Sequence, residues 1–298
     1  MLTDDAILQV VRAALREDAP WGDVTSDALI PETATATAAV VAREPGVLSG
    51  TRVLVATLSE VDPLAEVELQ AADGDAFVAG QTLAVLRGSA RSLLRAERVA
   101  LNLTQRLSGI ATLTAQYVAL TEGTRAQIVD TRKTTPGLRA LERDAVVAGG
   151  GRNHRFSLSD AVLVKDNHLA VLIASGLTVT EALLAMKGKL SHTTHVEVEV
   201  DRIDQIEAVL AAGIDTIMLD NFSSADLVSG VELVAGRALV EASGGVDLTT
   251  VAAIAASGVD LISVGALTHS VRALDLGLDI DVDVPAGRTP AGFARADA

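Results

Sequence analysis

The stretch HVEVEVDRIDQIEAVLAAGIDTIMLDN, residues 195–221, decides how the rest of the chain is read. It opens with strict alternation, His195, Glu197 and Glu199 against Val196, Val198 and Val200, the period-2 signature of a strand. RIDQIEAVLAAG (202–213) follows with apolar residues at helical spacing and a terminal glycine suited to a helix cap. TIMLDN (216–221) is a second strand, apolar until its two polar terminal residues. Strand, helix and buried strand in so short a run make a β/α/β unit, with parallel strands and a right-handed crossover.

The same design repeats on both sides. QIVDT (127–131) and AVLVKD (161–166) precede it, and ALVEASG (238–244) and LISVGAL (261–267) follow. The intervening helices SSADLVSGVELVAG (223–236) and DLTTVAAIAASG (247–258) open on Ser or Asp, which suit N-caps. Six such units predict an α/β barrel-like domain over 109–272, two units short of the usual eight. Before residue 109 the texture changes. ATATAAVVAREPGVLSG (34–50) and VELQAADGDAFVAGQTLAVLRG (67–88) read as strands joined by glycine turns, giving an α+β domain over 1–108. SARSLLRAERVALNLTQRLSGIATLTAQYVAL (89–120) reads as a long helix broken near Gly109. Residues 273–298 read as a C-terminal segment whose end, DVPAGRTPAGFARADA, is a loose tail.

Composition narrows the functional classes. Hydrophobic residues make up 49% of 298 residues, enough for a large core, while aromatics at 2% argue against a stacking platform for single-stranded nucleic acid. The net charge of −15 disfavours nucleic acid and anionic membranes as partners. No stretch is apolar enough for a membrane span, and the acidic start MLTDDAILQV lacks the features of a secretory signal, so the expected location is the cytoplasm. Without cysteine there is no disulfide and no thiol nucleophile. Two cationic islands interrupt the acidic background. Residues 87–106 carry five arginines against Glu97, and residues 130–168 hold five arginines and two of the chain's four lysines. For Arg87, Arg91 and Arg95 a solvated helix face is sufficient explanation; the second island suits a small polyanionic ligand.

In β/α barrels the active site lies at the C-terminal ends of the strands. Here those ends carry Thr131-Arg132-Lys133, Lys165-Asp166, Glu199, Asp220-Asn221, Ser243-Gly244-Gly245 and Gly265. Alternation puts Glu197 and Glu199 on one face, toward the interior, where they need Lys133, Lys165 or a metal as countercharge. A buried ion-pair network without catalysis also accounts for Glu197, and less well for Glu199 at the strand mouth. The glycine turns SGG (243–245) and VGALTHS (264–270) lie where barrels bind phosphate. Glu199 and Asp220 suit Mg²⁺. His154-Arg155 in GGGRNHRFSLSD (149–160) either binds an anion or caps a loop, and the histidine spacing does not suit zinc. The ensemble describes transfer chemistry on a polyanion, by positioning and electrostatics.

These residues resemble the quinolinate phosphoribosyltransferase family, also called carboxylating nicotinate-nucleotide pyrophosphorylases. The matching runs are WGDVTSDALIP (21–31), ERVALNLTQRLSGIAT (97–112), DTRKTTPGLRALE (130–142), GGGRNHRFSLSDAVLVKDNHL (149–169), MLDNF (218–222), EASGG (241–245) and ISVGALTHSVRALD (262–275). Departures are Asp144 in place of an expected aromatic and a slightly extended KGKLSHTTH (187–195). The resemblance implies an N-terminal open sandwich joined to an incomplete six-unit barrel. It implies transfer of phosphoribosyl from phosphoribosyl pyrophosphate to quinolinate, with Mg²⁺, release of pyrophosphate and CO₂, and formation of nicotinate mononucleotide for NAD biosynthesis. It further implies a homodimer with shared sites, leaving higher assembly open, in which Arg98 acts in the partner's site. Arg132, His154, Arg155 and Lys165 would meet the quinolinate carboxylates, with Thr131 also at the substrate and Lys133 near both substrates. Glu199 and Asp220 would serve the ribose hydroxyls and Mg²⁺-pyrophosphate, and Ser243, Gly244, Gly265 and His269 the phosphate kept by the product. Three rivals remain: a relative acting on another pyridine, a Schiff-base aldolase using Lys165, and a non-catalytic phosphate-binding barrel.

Overall fold

The computed structural model describes residues 2–174 and 176–283. Helices α1 (Asp4–Asp18) and α2 (Val24–Leu29) lead into strand β1 (Thr35–Ala42). Each helix starts on a side-chain cap: Thr3 accepts from the Ala6 N–H, and Asp23 from those of Thr25 and Ser26. Alternation then sets β1, whose Ala36, Ala38, Val40 and Ala42 are buried. β2 (Gly46–Val47), α3 (Thr51–Val61), β3 (Glu66–Leu69), β4 (Ala76–Phe77) and β5 (Thr82–Ser89) follow. β5 pairs antiparallel with both β1 and β3, and the short β2 and β4 pair with each other.

The next helix, α4 (Ala90–Ala119), runs unbroken for 30 residues. The break expected near Gly109 does not occur, because that glycine serves close approach instead. A Cβ there would lie 2.2 Å from the carbonyl oxygen of Arg272. The first half of α4 buries Leu93, Ala96, Ala100 and Leu101 in the core beneath the antiparallel sheet. Its second half buries Leu107, Ile110 and Tyr117 in a separate, larger core. Each fully buried Leu or Ile contributes roughly 1.5–3 kcal/mol, so the helix that joins the two cores also stabilises both. The boundary expected at 108/109 therefore falls inside a rigid element.

Beyond α4 come β6 (Gln127–Val129), α5 (Arg139–Ala148), β7 (Val162–Val164), α6 (Asp166–Ala174), α7 (Val179–Lys187) and β8 (Val196–Val200). Then follow α8 (Ile206–Leu210), β9 (Thr216–Asp220), α9 (Ser224–Val234), β10 (Leu239–Ser243), α10 (Val251–Ala256), β11 (Leu261–Ser263) and α11 (Ala266–His269). All six expected strands form one parallel sheet in the order β6-β11-β10-β9-β8-β7. The consecutive strands β6 and β7 occupy its two edges; beside β6, Arg152 of the connection makes a bridge to Val129. Val196, Val198, Val200, Ile217 and Leu219 all belong to the larger core. By alternation the residues between them face the other way, toward the site.

The chain then returns. β12 (Leu276–Asp283) pairs antiparallel along the whole of β1, from Leu276 opposite Ala42 to Asp283 opposite Thr35. Residues 276–283 are thus an edge strand of the first sheet, a role that the reading of 273–298 as a C-terminal segment had left open. The alternation was there to read. Leu276, Leu278 and Ile280 pack on the smaller core, while Asp279, Asp281 and Asp283 alternate with them and give the segment its acidic look. Of the expected loose tail, residues 284–298 lie outside the described residues. No helix among the described residues is long and apolar enough to cross a membrane.

Candidate active site

At the C-terminal ends of the parallel strands a cavity of about 420 Å³ is lined by residues of all six. Thr131, Arg132 and Lys133 follow β6, Leu163 and Lys165 come from β7 and its end, and Glu199 from β8. Met218 and Asp220 belong to β9, Glu241 and Ser243 to β10, Ser263 to β11; His154 and Arg155 enter from the loop before β7. Period-2 geometry explains the selection: on β9 the interior residues are Met218 and Asp220, on β10 Glu241 and Ser243.

Four cations converge here, and among the described residues neither Arg132 nor Arg155 is paired with a carboxylate. Lys165 Nζ donates to Glu199 Oε2 at 2.9 Å; of the countercharges expected for this carboxylate, Lys133, Lys165 or a metal, Lys165 lies beside it. Arg155 Nη1 donates to the Ala161 carbonyl at 2.9 Å. The Nε–H groups of Arg132 and Arg155 are both buried with no hydrogen-bond partner. Burial, and then the charge of Arg132, disfavour the Arg155 guanidinium cation. An anion accepting from these donors would relieve both penalties. At the same loop, the Lys133 N–H donates to Thr131 Oγ1 at 3.1 Å.

Beneath the cations lies a buried group that sequence reasoning only half anticipated. Glu197 is answered not by a lysine but by His154, whose Nε2 lies 2.9 Å from Glu197 Oε2 and 3.6 Å from Glu241 Oε2. These three are close enough to suggest a metal site. A hydrogen bond argues otherwise. The Arg155 N–H donates to His154 Nδ1 at 2.7 Å, so the ring's own proton sits on Nε2, the atom a metal would need. Burial lowers the basicity of this ring, but its hydrogen bond to Glu197 and the charges of Glu241 and Glu197 outweigh that and push it up. Full protonation would aim two N–H groups at each other, so we assign the neutral Nε2–H tautomer. His154 is part of the cavity wall, yet its proton is committed to Glu197. Burial, and next the charge of Glu197, push the Glu241 carboxyl above the usual range.

The loop carrying His154 is held by Asp130 at the end of β6. Its Oδ1 accepts from the His154 N–H at 2.7 Å and from Arg143 Nη1 at 3.1 Å. Burial outweighs Arg143 and pushes the Asp130 carboxyl up to about 6. Neither Asp130 nor Glu241 was singled out from the sequence, nor were Ser263, Leu163 and Met218. Counting back two residues from Ser243 on the same strand face would have found Glu241.

The expected phosphate residues are placed less uniformly. Ser243 lines the cavity. Gly244, at φ +86°, packs where a Cβ would lie 2.1 Å from Asn221 Oδ1, so only glycine fits. A Cβ on Gly265 would meet Lys133 Cδ at 3.0 Å and His269 Nε2 at 3.1 Å, which puts those three side by side. Asp220 Oδ2 accepts from Asn221 Nδ2 at 2.6 Å. Gly244, Gly265 and His269 are themselves outside the cavity lining, and so is Arg98. That arginine sits on α4 with its side chain 58% exposed, 3.5 Å from Glu97 of the same turn.

Comparison with known proteins agrees with this architecture. The family model described as quinolinate phosphoribosyl transferase, N-terminal domain, matches residues 23–108, and its C-terminal counterpart matches residues 110–279. The chain is 44% identical to the nicotinate-nucleotide pyrophosphorylase [carboxylating] of Mycobacterium leprae, over 94% of this chain and 100% of the relative. It is 42% identical to quinolinate phosphoribosyltransferase [decarboxylating] 2b, mitochondrial, of Nicotiana tabacum, over 93% of this chain and 82% of the relative. Among solved structures, NadC from Streptococcus pyogenes superposes with a TM-score of 0.90 at 40% identity, covering 95% of this chain and 99% of that one. Two family models in tandem, together spanning both cores and the cavity, show that this chain belongs to the quinolinate phosphoribosyltransferase family.

Proposed function

We propose that this chain transfers the phosphoribosyl group of phosphoribosyl pyrophosphate to quinolinate with loss of CO₂, giving nicotinate mononucleotide and pyrophosphate for NAD biosynthesis. The observation that carries this reading is the convergence of Arg132, Arg155 and Lys165 on one cavity, with the Nε–H groups of both arginines buried and unpartnered behind it. Such a set suits a substrate with two carboxylates. Arg132, Arg155 and Lys165 hold the pyridine dicarboxylate, with Thr131 and His154 in the wall. The pyridine nitrogen is itself the nucleophile, so no side chain need act as general base. Lys133 stands between the two substrates. Ser243, Gly244, Gly265 and His269 receive the phosphate that remains on the product.

Glu199 and Asp220 offer hard oxygen donors on one wall and face the ribose hydroxyls; as a donor set they fit Mg²⁺, which uses few carboxylates together with substrate oxygens. When bound, Mg²⁺ supplies charge neutralisation for the departing pyrophosphate. As the carbon–nitrogen bond forms, the ring nitrogen becomes cationic. It then stabilises the electron pair left when the adjacent carboxylate departs as CO₂, and the ring carbon left behind takes up a proton from solvent to complete nicotinate mononucleotide. Lys165 Nζ is engaged by Glu199 at 2.9 Å, so the nitrogen an aldolase would need free for a carbonyl is already occupied; this weighs against the aldolase reading.

The six parallel strands around one cavity fit an incomplete β/α barrel, with β6 and β7 flanking the gap, and the antiparallel sheet with α3 and α4 fits an open sandwich. A homodimer with shared sites gives Arg98 its role: exposed in its own subunit, it would complete the partner's cavity. Absence of cysteine suits the cytoplasm, although some relatives are named mitochondrial or chloroplastic. The test is an assay of the purified protein with phosphoribosyl pyrophosphate, Mg²⁺ and either quinolinate or nicotinate. Nicotinate mononucleotide and CO₂ forming from quinolinate alone is the expected result; turnover of nicotinate alone, or of neither, moves the function elsewhere.

A further inference from the structure

One buried network beside the cavity is built from residues that neither line it nor have been given a role above, yet it grips the backbone of Lys133, which does line it. Glu142 of α5 is fully buried and uses both carboxylate oxygens. Oε1 accepts from Arg106 Nε at 2.8 Å, and Oε2 from the Thr135 N–H at 3.1 Å. Arg106, on α4, also donates through Nη2 to Thr135 Oγ1 at 2.8 Å and to the Thr268 carbonyl at 2.9 Å. Thr268, itself fully buried, donates from Oγ1 to the Lys133 carbonyl at 2.7 Å. The network thus grips the loop after β6 at Lys133 and Thr135, and grips α11 at the residue before His269.

We infer that Arg106, Glu142 and Thr268 are positioning residues that hold the Lys133 loop in register with the Gly265–His269 turn, so that cation and phosphate cradle meet the phosphoribosyl donor together. This role rests on the reaction proposed above. Geometry supports it from the other side, since the Lys133 stem and the His269 ring both pack into the space that a Cβ on Gly265 would fill. Arg106 suits the task because its planar fork reaches three acceptors on three elements, which a lysine ammonium on a flexible stem does not reproduce. Orientation of this kind is where enzymes of positioning and electrostatics gain most of their rate.

The experiment uses Thr268→Val, which keeps the shape and removes the hydroxyl, beside Thr268→Ser, which restores it. Removing Arg106 would strand a buried carboxylate and risk the fold; Thr135→Val, which deletes one acceptor of Arg106, is the second probe. Phosphoribosyl pyrophosphate with Mg²⁺ is titrated into each purified full-length variant by calorimetry, and thermal midpoints are recorded in parallel. Loss of one oriented bond is expected to weaken donor binding about tenfold in Thr268→Val and Thr135→Val, with Thr268→Ser near wild type. Both valine variants binding like wild type, even with lowered thermal midpoints, would show a purely structural network and overturn the inference. A wild type that does not bind the donor at all would overturn the proposed reaction, and the inference with it.

Discussion

Arg132 and Arg155 lie within one cavity wall, each with a buried Nε–H that no protein atom accepts. Natural proteins rarely leave such donors unmade, and at a cavity the missing acceptor is a ligand oxygen. Arg132→Lys and Arg155→Lys keep the charge and lose the fork. Each should lower kcat/KM for quinolinate by about ten- to a hundredfold, with the KM for phosphoribosyl pyrophosphate little changed; equal losses for both substrates in steady-state kinetics would place these arginines elsewhere. Arg132 was legible because strand ends in a β/α repeat can be counted from the sequence, and Arg155 because it follows His154 in the glycine-rich run GGGRNHRFSLSD. Glu241 was not, because EASGG draws the eye to its glycines, and its partner His154 arrives from a loop. Glu241 carries a stability prediction with a definite sign. Its folded-state affinity for a proton lies above the unfolded value of 4.5, so ionising it costs folding free energy as pH rises from about 4.5 upward. Glu241→Gln removes that cost. The thermal midpoint of the variant, relative to wild type, should therefore climb as pH is raised from about 5 to 8, and a pH-independent difference would mean that Glu241 is already ionised in the folded protein.

α4 and β12 show why elements can be legible while their joints are not. The helical periodicity over 89–120 is plain, but a glycine in mid-helix has two readings, a break or a close approach. Only the distant segment decides between them. Here Arg272 crosses Gly109 on the way to β12, and Leu274 N–H donates to the Gln105 carbonyl at 3.0 Å. The same crossing brings Arg272 onto Glu44, which also accepts from the Asp275 N–H at 2.8 Å. Non-local pairings of this kind leave no trace in local propensity, whereas the alternation in LGLDIDVD (276–283) was local and was masked by its charge. Gly109→Ala tests the close approach. With backbone at 2.2 Å from the new Cβ, neither side can yield by a rotamer change, and the loss should be about 1–3 kcal/mol by denaturant titration. A gain, as expected for alanine in an ordinary helix interior, would mean that the crossing is loose.

At the scale of the whole molecule the charge pattern acquires a meaning. An acidic protein with two cationic islands was read as a binder of a small polyanion, and the island at 130–168 does supply Arg132, Lys133, Arg155 and Lys165 to the cavity. The island on α4 divides. Arg91 and Arg95 lie near Asp27 of the same chain at 3.9 and 3.4 Å, and Arg106 turns inward to Glu142. Arg98 alone among these has only its neighbour Glu97, at 3.5 Å and largely in solvent, a contact worth little. Among the described residues no other side chain pairs with that arginine. If it completes the cavity of a second copy, Arg98→Ala should fold with an unchanged thermal midpoint and lose activity. Lys165→Ala, which empties the other half of the same composite site, should do likewise. After subunit exchange in an equimolar mixture, half the dimers pair one variant with the other, and each such dimer carries one site with both residues intact. Roughly a quarter of wild-type activity should return. Mixtures that stay inactive after labelled subunits are shown to have exchanged would place Arg98 outside the partner's site and leave its exposure without a catalytic account.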